Sequence, residues 1–424
     1  MATLKEKTGL LPDHKLPTNL TTRNFEVHRW FNFIAGFSPE FVAREIVSAK
    51  LKPGSSLLDP FAGAGTALVE ANSLGLKAIG FEPQPFFYEM ALAKTQTRSI
   101  ENIKEVGRLL KSAKPLKSIE ELWTSDSQKV FLNKLVDEDN LLLLGGMRKQ
   151  LKLCSDASKP IFMLIVSRLL EAAAGSQTDG IYKAPSSLKK SRNVLELLTT
   201  LLVDFEQDIL AMPAESGESV IYKQSSETMS MVSSGSQSIC ITSPPYLNNF
   251  DFAEMSRMEF YFWGIAENWG EITTLVRSNL IINTTTAPSL MRKDQSRWNL
   301  ILPDDFIDDI NPLIDSLQLM RSEKAGKKEY DSLVAPYFAQ MYSVLGEAFR
   351  VLKNDAPLHL IVADAALYGV HIKTEELLAS LMSTLGFEIV AVHRLRDRGG
   401  RWVLDKRQGP GVPLGEFHIH AVKR

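Results

Sequence analysis

Thr242-Ser243-Pro244-Pro245-Tyr246 closes the apolar run Ser238-Ile239-Cys240-Ile241 and reads as a short loop leaving a buried strand. Two successive prolines fix φ near −65° and remove two backbone donors, so the carbonyls of Ser243 and Pro244 stay outward as acceptors with neither helix nor ladder to consume them. An aromatic ring follows at once. A side-chain oxygen, a rigid carbonyl and a ring face together suit a planar heterocycle whose exocyclic NH₂ needs two acceptors and whose π-face needs a stacking partner. That is the chemistry of an amino group on a nucleobase.

A second stretch supplies a place for a co-substrate. Ser55-Ser56-Leu57-Leu58-Asp59 has the look of a buried strand running into Pro60-Phe61-Ala62-Gly63-Ala64-Gly65-Thr66, and a helical pattern follows from Ala67 to Leu74. Strand, glycine loop and helix in that order form a mononucleotide-binding unit, the glycines letting backbone approach a ligand closely. It is not a P-loop, because no Gly-Lys-Ser/Thr follows, and the three-glycine dinucleotide fingerprint is incomplete, so a pyrophosphate has no cradle. The next strand, Lys77-Ala78-Ile79-Gly80-Phe81, ends in Glu82. That is roughly 20 residues past the loop, where an acid accepts hydrogen bonds from ribose hydroxyls. The expected ligand is an adenosine without phosphates.

Asp59-Pro60-Phe61-Ala62-Gly63-Ala64-Gly65-Thr66 together with Thr242-Ser243-Pro244-Pro245-Tyr246 resembles the amino-methyltransferases that use S-adenosylmethionine on DNA. The resemblance covers the motif-bearing half or more of the chain. It implies a class I methyltransferase fold, a Rossmann-like α/β sheet, mostly parallel with a C-terminal antiparallel hairpin. It also implies a cofactor site built from Asp59, Pro60, Phe61, Gly63, Gly65, Thr66 and Glu82, and catalysis by Ser243, Pro244, Pro245 and Tyr246. In that family Ser-Pro-Pro-Tyr is typical of cytosine-N4 methylation, whereas Asp-Pro-Pro-Tyr or Asn-Pro-Pro-Tyr is commoner for adenine-N6. An aromatic segment before the first helix lies against the methionine end of the cofactor in such enzymes, which implicates Trp30 and Phe31 unless these rings simply cap the core. Many relatives carry an acid near the adenine after the third strand. Here the sequence reads Lys223-Gln224-Ser225-Ser226-Glu227, so Ser225 or Ser226 supplies a hydroxyl instead.

Methyl transfer from a sulfonium to an amine is a direct displacement and needs the nitrogen lone pair in line with the S–CH₃ bond at about 3 to 3.5 Å. Cytosine delocalises that lone pair into its ring. Hydrogen bonds from both N–H groups, to the Ser243 side chain and the Pro244 carbonyl, pull the nitrogen toward tetrahedral geometry while Tyr246 stacks on the base. A base inside a duplex cannot reach this arrangement, so the DNA partner presents an extruded base or a single strand. Asp251 and Glu254 are candidates to receive the released proton, with helix capping or solvation as the plainer reading.

The elements that must position these residues follow from length and pattern. A chain of 424 residues exceeds one ordinary domain. Hydrophobic content of 44% and charged content of 23% are ordinary for a soluble globular protein, and a net charge of −2 leaves any polynucleotide contact to local patches. Cys154 and Cys240 lack metal-ligand spacing, so neither a disulfide framework nor a metal site is expected. No signal peptide or bilayer-length apolar run is visible, which places the protein in the cytoplasm.

Ser38-Pro39-Glu40 predicts a helix start running to about Lys50. Later strands are expected over Ser219–Lys223, Gln237–Thr242, Leu358–Ala363, Glu388–Arg394 and Phe417–Val422, with a crossover helix over Pro336–Leu352. The catalytic core then comprises residues 23–98, 214–263 and 331–424. Residues 99–213 form a helical insertion suited to target recognition, and 264–330 a second insertion. Basic clusters offer phosphate contacts: Arg394, Arg396, Arg398 and Arg401 in the loop between the last two strands, and Lys183 and Lys189 after Thr178-Asp179-Gly180. The sum is a site-specific DNA methyltransferase, cytosine-N4 preferred, in a restriction-modification or phage-defence setting with a cognate restriction endonuclease as partner. Adenine-N6, structured RNA and an inactive recognition subunit are the rival readings.

Overall fold

The computed structural model describes residues 21–33, 35–97, 99–178, 183–188, 191–213, 216–248, 251–285, 295–323, 328–398 and 413–424, with backbone alone at 177–178, 183–188 and 295–296. Seven strands make one sheet: β1 Ser56–Asp59, β2 Lys77–Phe81, β3 Ser219–Tyr222, β4 Ile239–Thr242, β5 Pro357–Ala363, β6 Phe387–Asp397 and β7 Gly415–Lys423. Their order is β6-β7-β5-β4-β1-β2-β3. The pairs from β5 through β3 are parallel, while β7 runs antiparallel to both β5 and β6. This is the class I methyltransferase topology, with the antiparallel hairpin where the sequence places it.

Burial on both faces explains why the central strands read as unbroken apolar runs. Successive side chains point to opposite faces, so Leu57, Ile239, Ile241 and Ile361 meet helix α1 (Pro39–Ser48) and α2 (Thr66–Ser73). Leu58, Cys240, Leu358 and Leu360 face a second core. Most of the helices flanking the sheet start as the local sequence dictates. Ser38 accepts the Phe41 N–H at 3.2 Å ahead of Pro39, and Gln84 accepts the Phe87 N–H at 2.8 Å ahead of Pro85 at the start of α3 (Pro85–Gln96).

The helical residues after α3 build a third core. Helices α4 (Lys159–Ala173) and α5 (Val194–Ala211) pack with Val27, Trp30, Phe86 and Met90, and also with Ala253 to Val276. The segment following the Ser-Pro-Pro-Tyr loop is therefore packed on the helical layer rather than on the sheet. On the other face, α6 (Val334–Val351) and α7 (Thr374–Thr384) cover β4, β5 and β7. A short hairpin, Ala365–Leu367 with Val370–Ile372, follows β5 and has no clear signal in the sequence. Among the described residues no helix is long and apolar enough to cross a membrane.

Candidate active site

β1 and β4 lie side by side and parallel, so the glycine loop and the proline loop leave the same edge of the sheet. The hydroxyl of Thr242 donates to Asp59 Oδ1 at 2.6 Å, and the Phe61 N–H donates to the same oxygen at 3.0 Å. Burial pushes the Asp59 carboxyl up to about 7, against these two bonds, which lower it. One carboxylate thus fastens the starts of both loops.

The loop needs its glycines. Gly63 has φ +51° and Gly65 φ +81°, and a Cβ on Gly63 would stand 2.6 Å from the Phe33 ring, while one on Gly65 would stand 3.3 Å from Ala91 Cβ. The Ala62 N–H donates to the Phe81 carbonyl at 3.0 Å, which folds the loop against the end of β2. There Glu82 is buried and accepts the Gln84 N–H at 2.8 Å and the Gly63 N–H. Burial, with a smaller push from the Asp59 charge, raises Glu82 to about 8.

These residues fit an adenosine. Glu82 is a buried carboxyl whose bonds come from backbone N–H groups rather than from a cation, which leaves lone pairs for ribose hydroxyls. Gly63 brings bare backbone beside it, and the loop lacks the lysine that a phosphate would need. After β3, the Ser225 hydroxyl donates to Glu227 Oε2 at 3.1 Å, and Glu227 also accepts from Gln340 Nε2 at 3.1 Å.

The proline loop carries the second half. Among the described residues no backbone N–H donates to the carbonyl of Ser243 or Pro244. Tyr246 is buried; its hydroxyl donates to Glu416 Oε1 of β7 at 2.9 Å, and it shares a hydrogen bond with the Ser243 side chain. Burial holds the phenol well above its ordinary range, so it stays a donor. The Arg398 guanidinium carbon stands 5.5 Å from the Tyr246 ring centroid, with Nη1 donating to Asn248 Oδ1 at 3.1 Å. Gln84 Nε2 donates to Ser256 Oγ at 2.6 Å and ties the end of β2 to the segment beyond the proline loop.

The structure thus gathers Asp59, Phe61, Gly63, Gly65, Thr66 and Glu82 at one edge with Ser243, Pro244, Pro245 and Tyr246. Trp30 sits apart from them, fully buried, stacked on Phe205 at 4.5 Å with its indole N–H on Asp208 at 2.8 Å. Phe31 meets Phe86 edge-on at 5.8 Å. The ring over the glycine loop is Phe33, packed on Phe87 at 4.9 Å and Phe252 at 6.3 Å. Sequence reasoning missed Phe33 although it ends the same aromatic run, because nothing in the run says which ring turns inward. It also missed Gln84 and Glu416, whose partners lie 172 and 170 residues away.

Asp251 caps the helix Phe252–Met255 through the N–H groups of Ala253 and Glu254 and pairs with Arg277. Glu254 meets Arg257 at 3.5 Å, and burial raises its carboxyl. Of the basic residues expected in the loop, Arg394 and Arg396 lie instead on β6, which runs on to Asp397: Arg394 reaches Asp397 at 2.8 Å and Arg396 bonds Glu416 Oε2 at 2.5 Å, while Arg398 is buried over Tyr246. Lys183 lies on a short strand of which only the backbone is described; Lys189 and Arg401 lie outside the described residues.

The N6/N4 methyltransferase family model, described as DNA methylase, matches residues 20–93, the span from the aromatic segment through the glycine loop to α3. The chain is 23% identical over 448 residues to the Type II methyltransferase M.BsoBI of Geobacillus stearothermophilus, covering 92% of this chain and 84% of that one. It is 23% identical over 398 residues to the Type II methyltransferase M.AvaI of a Nostoc species, covering 85% of this chain and 79% of that one. A shorter match, 27% over 139 residues, joins 32% of this chain to 26% of the Type II methyltransferase M.MjaII of Methanocaldococcus jannaschii.

Proposed function

We propose, since this chain belongs to the S-adenosylmethionine-dependent DNA amino-methyltransferase family, that it methylates the N4 amine of cytosine at a specific DNA site. The observation that carries the reading is the 2.6 Å bond from Thr242 to Asp59, which sets the amine-binding loop beside the adenosine-binding loop on adjacent strands. Bound S-adenosylmethionine supplies an electrophilic methyl group on sulfur. Glu82 accepts its ribose hydroxyls, the backbone at Gly63 lies against the nucleoside, and Phe33 walls off the loop from water.

An extruded cytosine gives its two N–H groups to the Ser243 hydroxyl oxygen, which keeps a lone pair beside its bond to Tyr246, and to the Pro244 carbonyl, to which no backbone N–H donates among the described residues. Both bonds draw the nitrogen out of conjugation and orient its lone pair. Tyr246, its hydroxyl anchored on Glu416, presents a fixed ring to the base, so Arg398 either stacks on the far side or yields its place. After transfer the surplus proton passes to water or to Glu254. Ser243 at the head of the loop favours cytosine, since the resembled adenine enzymes more often carry Asp or Asn there.

The likeness to Type II methyltransferases supports a restriction-modification role with a cognate endonuclease. Incubating the protein with labelled S-adenosylmethionine and, in parallel, duplex DNA or structured RNA, then digesting to nucleosides, tests the assignment. We expect 4-methylcytosine. Recovery of 6-methyladenine moves the target to adenine, and label confined to RNA overturns the DNA substrate.

A further inference from the structure

Four of the chain's seven histidines share one face of the antiparallel end of the sheet. His359 of β5 pairs across the ladder with His420 of β7, and His393 of β6 with His418 of β7. His359 Nδ1 lies 3.0 Å from His418 Nε2 and 3.5 Å from Glu45 Oε2, which reaches down from α1. All three ligand atoms fall within 4.8 Å of one another, and the three residues are 3%, 6% and 7% exposed.

We propose that Glu45, His359 and His418 form a site for one divalent transition-metal ion of the zinc class, which pins α1 to β5 and β7. Two imidazoles and a carboxylate are a zinc-type donor set, and a tetrahedral ion with ligands at about 2.0–2.1 Å spaces them roughly 3.3 Å apart. The separations of 3.0 and 3.5 Å bracket that value. Hydrogen bonding alone serves the cluster poorly. His359 Nδ1 carries either one proton or one lone pair, yet it faces two partners at once.

The surroundings suit a ligand set. Burial, with the neighbouring His418, His420 and Arg44, keeps His359 neutral well below its ordinary range, so its lone pair is available. Arg44 donates to Glu45 Oε1 through Nε at 2.9 Å and holds the carboxylate with Oε2 turned to the imidazoles. His420 stacks on His359 at 4.6 Å and Phe41 meets His418 edge-on at 5.2 Å, fixing both rings. Three protein donors leave the fourth position to water. The sequence reading expected no metal because it looked for cysteine spacing, whereas these ligands lie on three elements far apart in the chain.

The test uses untagged full-length protein, dialysed against a chelator and titrated with Zn²⁺ or Co²⁺. We expect one equivalent bound, a melting temperature about 5 °C higher at a hundredfold excess over the dissociation constant, and visible Co²⁺ bands of tetrahedral intensity. The double variant His359→Asn/His418→Asn should lose the bands and the thermal shift, while His393→Asn keeps both. Folded wild-type protein that shows no saturable binding up to 100-fold molar excess of Zn²⁺ refutes the site, whether or not the double variant folds. Unchanged Co²⁺ bands in a folded double variant refute it equally.

Discussion

The Tyr246 hydroxyl and the Glu416 carboxylate meet at 2.9 Å, across 170 residues of sequence, so the aromatic end of the proline loop is moored to the antiparallel strand β7. Tyr246→Phe keeps the ring and removes the mooring. A buried hydrogen bond to a charged partner contributes about 1.5–3 kcal/mol, so the variant should melt lower while retaining most of its turnover. Tyr246→Ala should lose turnover by at least about a hundredfold, with cofactor affinity within a few-fold of wild type. Isothermal titration beside steady-state kinetics separates the two, and equal loss of both quantities would remove the stacking role.

Glu82 should govern cofactor binding. Glu82→Ala removes the acceptor for the ribose hydroxyls, and affinity for S-adenosylmethionine should fall about tenfold or more. Unchanged affinity would take Glu82 off the ribose.

The same carboxyl gives a pH dependence without ligand. Glu82 and Asp59 are raised by burial to about 8 and about 7, so the folded protein holds protons that the unfolded chain releases near pH 4. Their contribution is complete below the unfolded values and disappears as pH rises through 7 to 8. Thermal melts from pH 5 to 8.5 should show stability falling, and Glu82→Gln should flatten that slope. A slope identical to wild type would mean that Glu82 is ionised in the folded protein.

Thr242→Val is nearly isosteric and deletes the 2.6 Å bond to Asp59. With a buried carboxyl left on one hydrogen bond fewer, stability should drop by about 1–3 kcal/mol. Chemical denaturation measures this, and a neutral result would show that the two loops are aligned by strand pairing alone.

Asp208 of α5 receives the N–H of Val27 at 3.0 Å, the Trp30 indole at 2.8 Å and both ends of the Arg29 fork at 2.5 and 3.0 Å. Replacing it with Ala leaves a half-buried arginine and a buried indole donor without their shared acceptor, and should cost about 1–3 kcal/mol. Asp208→Asn, which keeps a partner for one donor, should cost less; the reverse ranking in urea melts would contradict the charge-based account.

The loops that carry the candidate site were legible where they are written in contiguous residues. Prolines and glycines impose their geometry locally, so the loops after β1 and β4, the helix start at Ser38 and the final hairpin could be read from sequence. What escaped are relations between distant residues. Glu416 looks like an ordinary strand carboxylate until β7 inserts beside β5. Arg396 and Arg398 look like part of a phosphate-gripping row until each finds its partner on Glu416 or Tyr246. Trp30 and Phe33 sit three apart in one aromatic run, and composition could not say that the first joins the helical layer and the second the glycine loop.

That spacing also acts as a leash. Trp30 is bolted to α5 through Asp208 and Phe205, while Phe33 rests on Gly63. Three links of backbone reach no further than about 11 Å when fully stretched. Any displacement of α5 that carries Trp30 beyond that reach is therefore felt at the glycine loop through a tether too short to absorb it.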